Sequence, residues 1–411
     1  MRLLLLTLAS AETGGVDSDA PNCQLDTEGF QPPQLVDLNG DGTPEALVTA
    51  RFDQVSAFTF DGDAFGPITT LGSPDLPAAV LPADLDGDGD IDLVVHSAYD
   101  TRVTAWMNDG ANNFTVVDVT CVDARAVATL DLDADGDLDI VVATRSRLRW
   151  FENRGDSWRR KGARNVNGTP SELVVSDIDG DGREDVFAID TNDKRAMAYL
   201  NDGSGLSRGS AFSGGIGLNV QEGFRNADWD GDGDLDLAWG RHDGVRWMER
   251  VDGALQPHTQ VPNEMEDTLF VSVMDVDGDG MLDITLQQMD ANNGWHPFWQ
   301  RRTAEGVEEL RSLPGELVAA ADIDGDGLID GLFEVLDGDG EPALGWAKRV
   351  SMDDWAEPVV LSTRTCDDPD IDEAERDNSP VCFGRTCGTG PAAPALALVL
   401  LMGVLRRRNP R

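Results

Sequence analysis

The sequence predicts an all-β fold: a seven-bladed β-propeller, four antiparallel strands per blade, with a Ca2+ loop between the first and second strand of each blade. Three observations lead there. A nine-residue acidic loop has the spacing of a hard-cation site. That loop recurs seven times at near-constant intervals, and each repeat carries an aromatic residue at a matched place further along.

Residues 84–92 read DLDGDGDID, with aspartate at positions one, three, five, seven and nine and glycine at six. So many carboxylates repel one another unless a cation lies among them, and Ca2+ is the usual one. An EF-hand would need a bidentate Glu at position twelve and flanking helices. Position twelve here is Val95, and Leu93-Val94-Val95 favours a strand. The site therefore closes at position nine, as a loop between two strands.

The pattern starts at Asp37, Asp84, Asp131, Asp177, Asp228, Asp275 and Asp322, at intervals of 47, 47, 46, 51, 47 and 47 residues. Position six is always glycine, where the chain must turn sharply. Side chains at positions one, three, five and nine are expected to ligate, and position seven to add a backbone carbonyl. The sets are Asp37, Asn39, Asp41 and Glu45; Asp84, Asp86, Asp88 and Asp92; Asp131, Asp133, Asp135 and Asp139; Asp177, Asp179, Asp181 and Asp185. They continue with Asp228, Asp230, Asp232 and Asp236; Asp275, Asp277, Asp279 and Asp283; Asp322, Asp324, Asp326 and Asp330. The first loop, with one charge fewer at Asn39, is expected to bind most weakly.

A period near 47 matches a propeller blade of roughly 40–50 residues, not a nonapeptide β-roll. In the second unit Ala78–Ala83 reads as the inner strand, Ile91–His96 as the second and Arg102–Met107 as the third. An Asn-Asp-Gly turn at 108–110 then leads to the fourth, Asn113–Val117. The third strands carry Phe58, Trp106, Trp150, Tyr199, Trp247, Trp299 and Trp346. Their regular recurrence points to packing between neighbouring blades rather than to a ligand-binding row.

The stretches LPADLDGDGDIDLVV and VTAWMNDGANNF resemble the FG-GAP/VCBS repeat family, which includes the propeller head of integrin α subunits. The resemblance covers roughly residues 30–362. It implies seven blades with up to seven Ca2+ ions, and no particular partner, because such folds host many functions.

The net charge of −44 disfavours nucleic acid and anionic membranes as partners. The start, MRLLLLTLASA, reads as a short export signal over residues 1–11, with Ala9-Ser10-Ala11 as its cleavage site; it is shorter than usual, and a start further upstream is the alternative. Residues 12–31 read as a leader, 32–362 as the propeller, 363–390 as an acidic linker, and 391–411 as an apolar segment with an Arg cluster. The order Cys387-Gly388, apolar run, Arg406-Arg407-Arg408 resembles the MYXO-CTERM sorting signals of myxobacterial surface proteins. That resemblance implies surface attachment through Cys387; the alternative is a plain single-pass tail. Of the other cysteines, Cys366 and Cys382 are expected to pair. Cys23 and Cys121 either pair or stay free, and Cys23 with Cys366 is a further option.

Other motifs are weaker. Arg154-Gly155-Asp156-Ser157 falls at a hairpin tip, which needs such residues anyway. Gly205-Leu206-Ser207-Arg208-Gly209 follows a hairpin turn, where a nucleophile elbow needs a strand before it and a helix after it. His96, His242, His258 and His296 lie far apart in sequence. Trp295, His296 and Trp299 could stack on a sugar ring or simply pack a blade. The expected role is binding or adhesion by a monomer at a bacterial surface, toward a protein or glycan ligand. The alternatives are a polysaccharide hydrolase or lyase and a purely structural envelope protein.

Overall fold

A computed structural model of the chain describes residues 33–361, apart from 51–53, 67, 75–76, 98–100, 156, 167, 191–194, 213–224, 228, 230–231, 233–235, 242–243, 253, 258–260, 263–267, 290–294, 304–305, 337–341 and 352–353. The described residues form seven antiparallel blades and contain no helix. Blade one holds Gln34–Val36, Glu45–Ala50, Gln54–Phe58 and Thr69–Gly72. Blade two holds Pro77–Ala83, Asp92–Ser97, Arg102–Asn108 and Phe114–Cys121; blade three holds Ala124–Leu130, Asp139–Thr144, Arg147–Asn153 and Trp158–Asn165. Blade four holds Glu172–Ser176, Asp185–Asp190, Arg195–Asn201 and Leu206–Phe212. Blade five holds Arg225–Ala227, Asp236–Arg241, Gly244–Val251 and Ala254–Pro257; blade six holds Thr268–Met274, Asp283–Met289, Trp295–Thr303 and Gly306–Ser312. Blade seven holds Glu316–Ala321, Asp330–Leu336, Pro342–Ala347 and Val359–Val360. The outer strand of blade two runs to Cys121, beyond the expected Val117, because its later residues, Val119 among them, pack against blade three.

The core is seven apolar clusters, each spanning two neighbouring blades. The strand period of two explains this arrangement. In the second strand of blade three, Ile140 and Val142 pack toward blade two, while Val141 and Ala143 pack toward blade four. Both faces are covered, so the strand is buried along its whole length. All seven matched aromatics are buried in these clusters, as packing predicts. Trp106 lies against Gly72 of blade one, where an added Cβ would stand 2.3 Å from the ring.

Every blade is contiguous in sequence, so no strand is exchanged to close the ring. Closure comes from side-chain packing. The inner strand of blade seven lies beside that of blade one. Ala46, Phe58 and Phe60 share a cluster with Ile323, Leu332, Leu344 and Trp346. Phe60, Phe65 and Trp346 meet edge to face at 5.2–5.8 Å between centroids, a favoured aromatic geometry.

Candidate metal centres

Each acidic loop joins the first and second strands of its blade, as expected. Position six sits at φ between +85° and +100° in the six loops where it is described, the left-handed region that glycine tolerates. Position four is left-handed too, a requirement the sequence reading missed; in loop three it is filled by Ala134 at φ +61°. The position-one carboxylate closes the turn, accepting the position-six N–H at 2.8–3.2 Å in those same six loops.

Position nine behaves differently. Glu45, Asp92, Asp139, Asp185, Asp236, Asp283 and Asp330 are all buried, none more than 2% exposed. In all seven loops one oxygen accepts the position-two N–H, at 2.8–3.2 Å. In blades two to six the other oxygen accepts an N–H from the end of the third strand, and in blade seven from Arg349 just beyond it, at 2.6–2.8 Å. This carboxylate therefore ties the loop to the blade. Burial, with the neighbouring loop carboxylates adding, raises Asp139 and Asp283 to about 7 and Asp185 to about 6. The same causes push Glu45, Asp92 and Asp330 upward.

The donor sets fit a hard cation. Ligand atoms lie within 4.8 Å of one another in Asp84–Asp86–Asp92, Asp177–Asp179–Asp185 and Asp322–Asp324–Asp330, which use positions one, three and nine. In Asp131–Asp133–Asp135 and Asp275–Asp277–Asp279 the trio is positions one, three and five. Loop one, with the Asn39 amide at position three, is not among these acidic trios. Asp228 and Asp230 lie outside the described residues; Asp232 is exposed and Asp236 buried. Buried Oδ1 atoms of Asp133 and Asp322 have no hydrogen-bond partner. A carboxylate oxygen that accepts one N–H keeps a further lone pair for a metal. Bound Ca2+ would reverse the upward push on the position-nine carboxylates.

The loops differ in their counter-ions. In blade six Arg301 contacts Asp277 and Asp279; in blade seven Lys348 contacts Asp324 and Asp326. Strand register places both cations opposite position nine. In blade three Lys161 reaches Asp133 at 3.0 Å, and in blade four Arg183 pairs with Asp181. Among the described residues no Lys or Arg pairs with the loop carboxylates of blade two.

One set of residues escaped the sequence reading. The third-strand residue whose N–H binds position nine also sends its side chain to the loop of the preceding blade. Asn108 Nδ2 donates to the Leu38 carbonyl at 2.5 Å, Asn153 to Leu85 at 2.6 Å and Asn201 to Asp131 at 3.3 Å. Arg250 donates to the Asp177 carbonyl and Arg349 to that of Val276. The Arg302 guanidinium stacks 3.9 Å from the centroid of Trp229, position two of loop five. Register puts Phe60 at this place in blade one. The available signal was an Asn or Arg 14–19 residues after position nine in blades two to seven.

The weaker motifs resolve as structure. Ser207 donates to the Leu200 carbonyl within its own hairpin, and a strand follows it. Arg154 folds onto Glu152, while Asp156 lies outside the described residues. Trp299 is fully buried between blades six and seven. His96 is buried in blade two, His296 is exposed, and His242 and His258 lie outside the described residues. Cys121 is disulfide-bonded; the other four cysteines, Cys387 included, lie outside the described residues. Away from the loops, Glu316 stands opposite Glu334 across the two inner strands of blade seven. Burial, then the Glu334 charge, raises Glu316.

An FG-GAP-like repeat profile matches residues 37–95, 131–188, 177–239 and 228–286, together more than half of the chain. No curated protein matches the sequence. Among solved structures, a lectin from Agrocybe aegerita described as recognising non-reducing terminal N-acetylglucosamine is 17% identical, with a TM-score of 0.50 over 68% of this chain and 79% of the lectin. BBS1N, solved in complex with ARL6DN, is 12% identical, with a TM-score of 0.47 over 82% of this chain and 95% of that one. At 17% identity the likeness to the lectin speaks to the fold alone.

Proposed function

Because the chain belongs to the FG-GAP-like repeat family, we propose that it is an exported Ca2+-binding β-propeller that serves as a binding or adhesion module at a bacterial cell surface, attached through its C-terminal tail at Cys387. The observation that carries the calcium reading is the recurrence of a converging acidic trio in five of the loops, together with a buried position-nine carboxylate in all seven. A catalytic metal normally occurs once or as a close pair; a site in every blade is a requirement of the fold. Export is supported by the disulfide at Cys121, since such bonds persist in oxidising compartments. The hydrolase alternative rests on the Glu316–Glu334 pair, two opposed carboxylates of which one is raised.

Thermal melts with excess Ca2+ and with EGTA test the reading. A Kd of ~0.1 mM, in the range of extracellular modules, with ~1 mM free Ca2+, gives about 1.4 kcal/mol per site, or about 10 kcal/mol for seven independent sites. That matches the whole net stability of a typical domain. Chelation is expected to lower the melting temperature sharply or unfold the ring, and superimposable curves would refute calcium as its structural ion.

A further inference from the structure

Blade three inverts the charge of the molecule. In a chain with net charge −44, residues 145–164 read RSRLRWFENRGDSWRRKGAR, with eight cationic residues against two acidic ones. Four of these cations pair with an acid. Arg145 pairs with Asp123, Arg154 and Arg159 with Glu152, and Lys161 with Asp133 and Glu152. Arg164 lies over the Trp150 ring. Three do not. Among the described residues no carboxylate pairs with Arg147, Arg149 or Arg160.

Register places these three on one face. Arg147 and Arg149 alternate along the third strand, and Arg160 stands opposite Phe151, the next position on the same side. Phe151 packs toward blade two, so the row faces the groove where the outer strands of blades two and three meet. Two residues of strand advance the chain by roughly 7 Å, so the three guanidinium groups form a row of roughly 14 Å. Arg147 and Arg160 are exposed and Arg149 is half-buried. The Arg149 Nε is buried with no hydrogen-bond partner. Burial, then the charges of Arg160 and Arg147, lowers the Arg149 pKa, the mark of like charges held together without a counter-ion.

We propose that this row binds an acidic polysaccharide, each guanidinium fork taking a carboxylate or sulfate of the chain. The proposal deepens the reading of the propeller as a binding module and rests on it. Guanidinium forks match such oxyanions two hydrogen bonds at a time. A row fits a linear polymer with spaced anions better than it fits one compact ion. Lys161, next to Arg160, already pairs with Asp133 of the blade's own acidic loop, and acidic loops farther off do not forbid it, since the Debye length is about 8 Å at physiological ionic strength. They do penalise a partner as densely charged as nucleic acid.

The test uses the full chain with 2 mM Ca2+ and measures binding of polygalacturonate, dextran sulfate, neutral dextran, inorganic sulfate and single-stranded DNA by titration calorimetry at several salt concentrations. The variants are the triple Arg147→Gln/Arg149→Gln/Arg160→Gln, the single Arg149→Lys, and Arg208→Gln on the exposed face of blade four as control. Expected are salt-dependent binding of one or both acidic glycans, at least a tenfold loss in the triple variant, a smaller loss in Arg149→Lys and none in the control. Neutral dextran should not bind. Undiminished binding by the triple variant would overturn the proposal. So would no binding of either acidic glycan, DNA binding as tight as glycan binding, or inorganic sulfate alone matching the polymers. EGTA melts on the same samples keep the two readings apart. A calcium-dependent fold without glycan binding refutes only the row, and glycan binding by a calcium-indifferent fold refutes only the metal.

Discussion

Asn108 offers the most direct measure of what holds neighbouring blades together. Its amide donates to the Leu38 carbonyl of blade one at 2.5 Å and to the Ile91 carbonyl of its own loop at 3.1 Å, while its N–H binds Asp92 at 2.7 Å. The side chain is 5% exposed, so water cannot replace these bonds cheaply. Asn108→Ala keeps the backbone bond and removes both amide bonds, leaving two buried carbonyls short of a donor. At about 1–1.5 kcal/mol per bond the loss is about 2–3 kcal/mol. A propeller of about 330 residues has an unfolding entropy near 0.7 kcal/mol/K, so the melting temperature is expected to fall by about 3–4 °C. Asn108→Asp has nearly the same shape but swaps the donor for a second carboxylate beside Asp92. A buried, uncompensated charge costs more than a lost neutral bond, about 3–5 kcal/mol. Melts in saturating Ca2+ should therefore rank the wild type above Asn108→Ala and Asn108→Asp last. If Asn108→Ala melts within 1 °C of the wild type, or Asn108→Asp is as stable as Asn108→Ala, the inter-blade bond carries no such energy.

Two further predictions concern charge. His96 is buried between blades two and three, and desolvation lowers its pKa from 6.5 to about 4. The unfolded chain takes up a proton that the folded one resists, so the neutral buried ring contributes its stability fully above pH 6.5 and loses it as pH falls toward 4. The loss is on the order of 3 kcal/mol; melts of His96→Gln should show a flatter pH dependence across that window, and an unchanged slope would refute the assignment. In loops six and seven, Arg301 and Lys348 occupy the acidic loops as tethered counter-ions. Replacing both with Met should tighten calcium binding at two of the sites, roughly three- to tenfold by removing a cation from each loop; an unchanged calcium isotherm would refute this.

What the sequence made legible was what repeats chemically. Seven loops with the same oxygen donors, the same glycine and the same spacing fix a strand–loop–strand unit, and the period of that unit fixes the ring. The seven aromatics were readable for the same reason. The inter-blade residues were not, because the position is Asn in blades two to four and Arg in blades five to seven, and its hydrogen-bond partner lies about 70 residues away. The Asn-Asp-Gly run at 108–110 reads as a hairpin turn, and Asn108 does lead into one; nothing local reveals its second bond to blade one. Arg301 and Lys348 reach their loops through cross-strand register, and Arg160 joins Arg147 and Arg149 the same way. Register depends on a bulge between Trp150 and Phe151 that composition does not announce.

The contacts made by the residue that follows or ends each third strand run in one direction, and this bears on how the ring closes. Blades two to seven each reach back to the loop of the blade before, through Asn108, Asn153, Asn201, Arg250, Arg302 and Arg349. The same residues hold the position-nine carboxylate of their own loop through the backbone. Each is thus tied to two loops at once, so a cation that orders one loop also steadies the neighbouring contact. Blade one lacks this link. Phe60 stands in that place and meets Trp346 of blade seven through aromatic packing. An amide there would need a well-placed carbonyl across the seam before the first and last blades had met. Apolar packing is non-directional and tolerates approach from a range of angles. The seam is also where a contiguous-blade ring must pay its largest loop-closure entropy, since its two sides lie nearly the whole chain apart. An aromatic cluster at the last contact to form, and directional hydrogen bonds or cation–π contacts at the six that precede it, suits a ring built blade by blade.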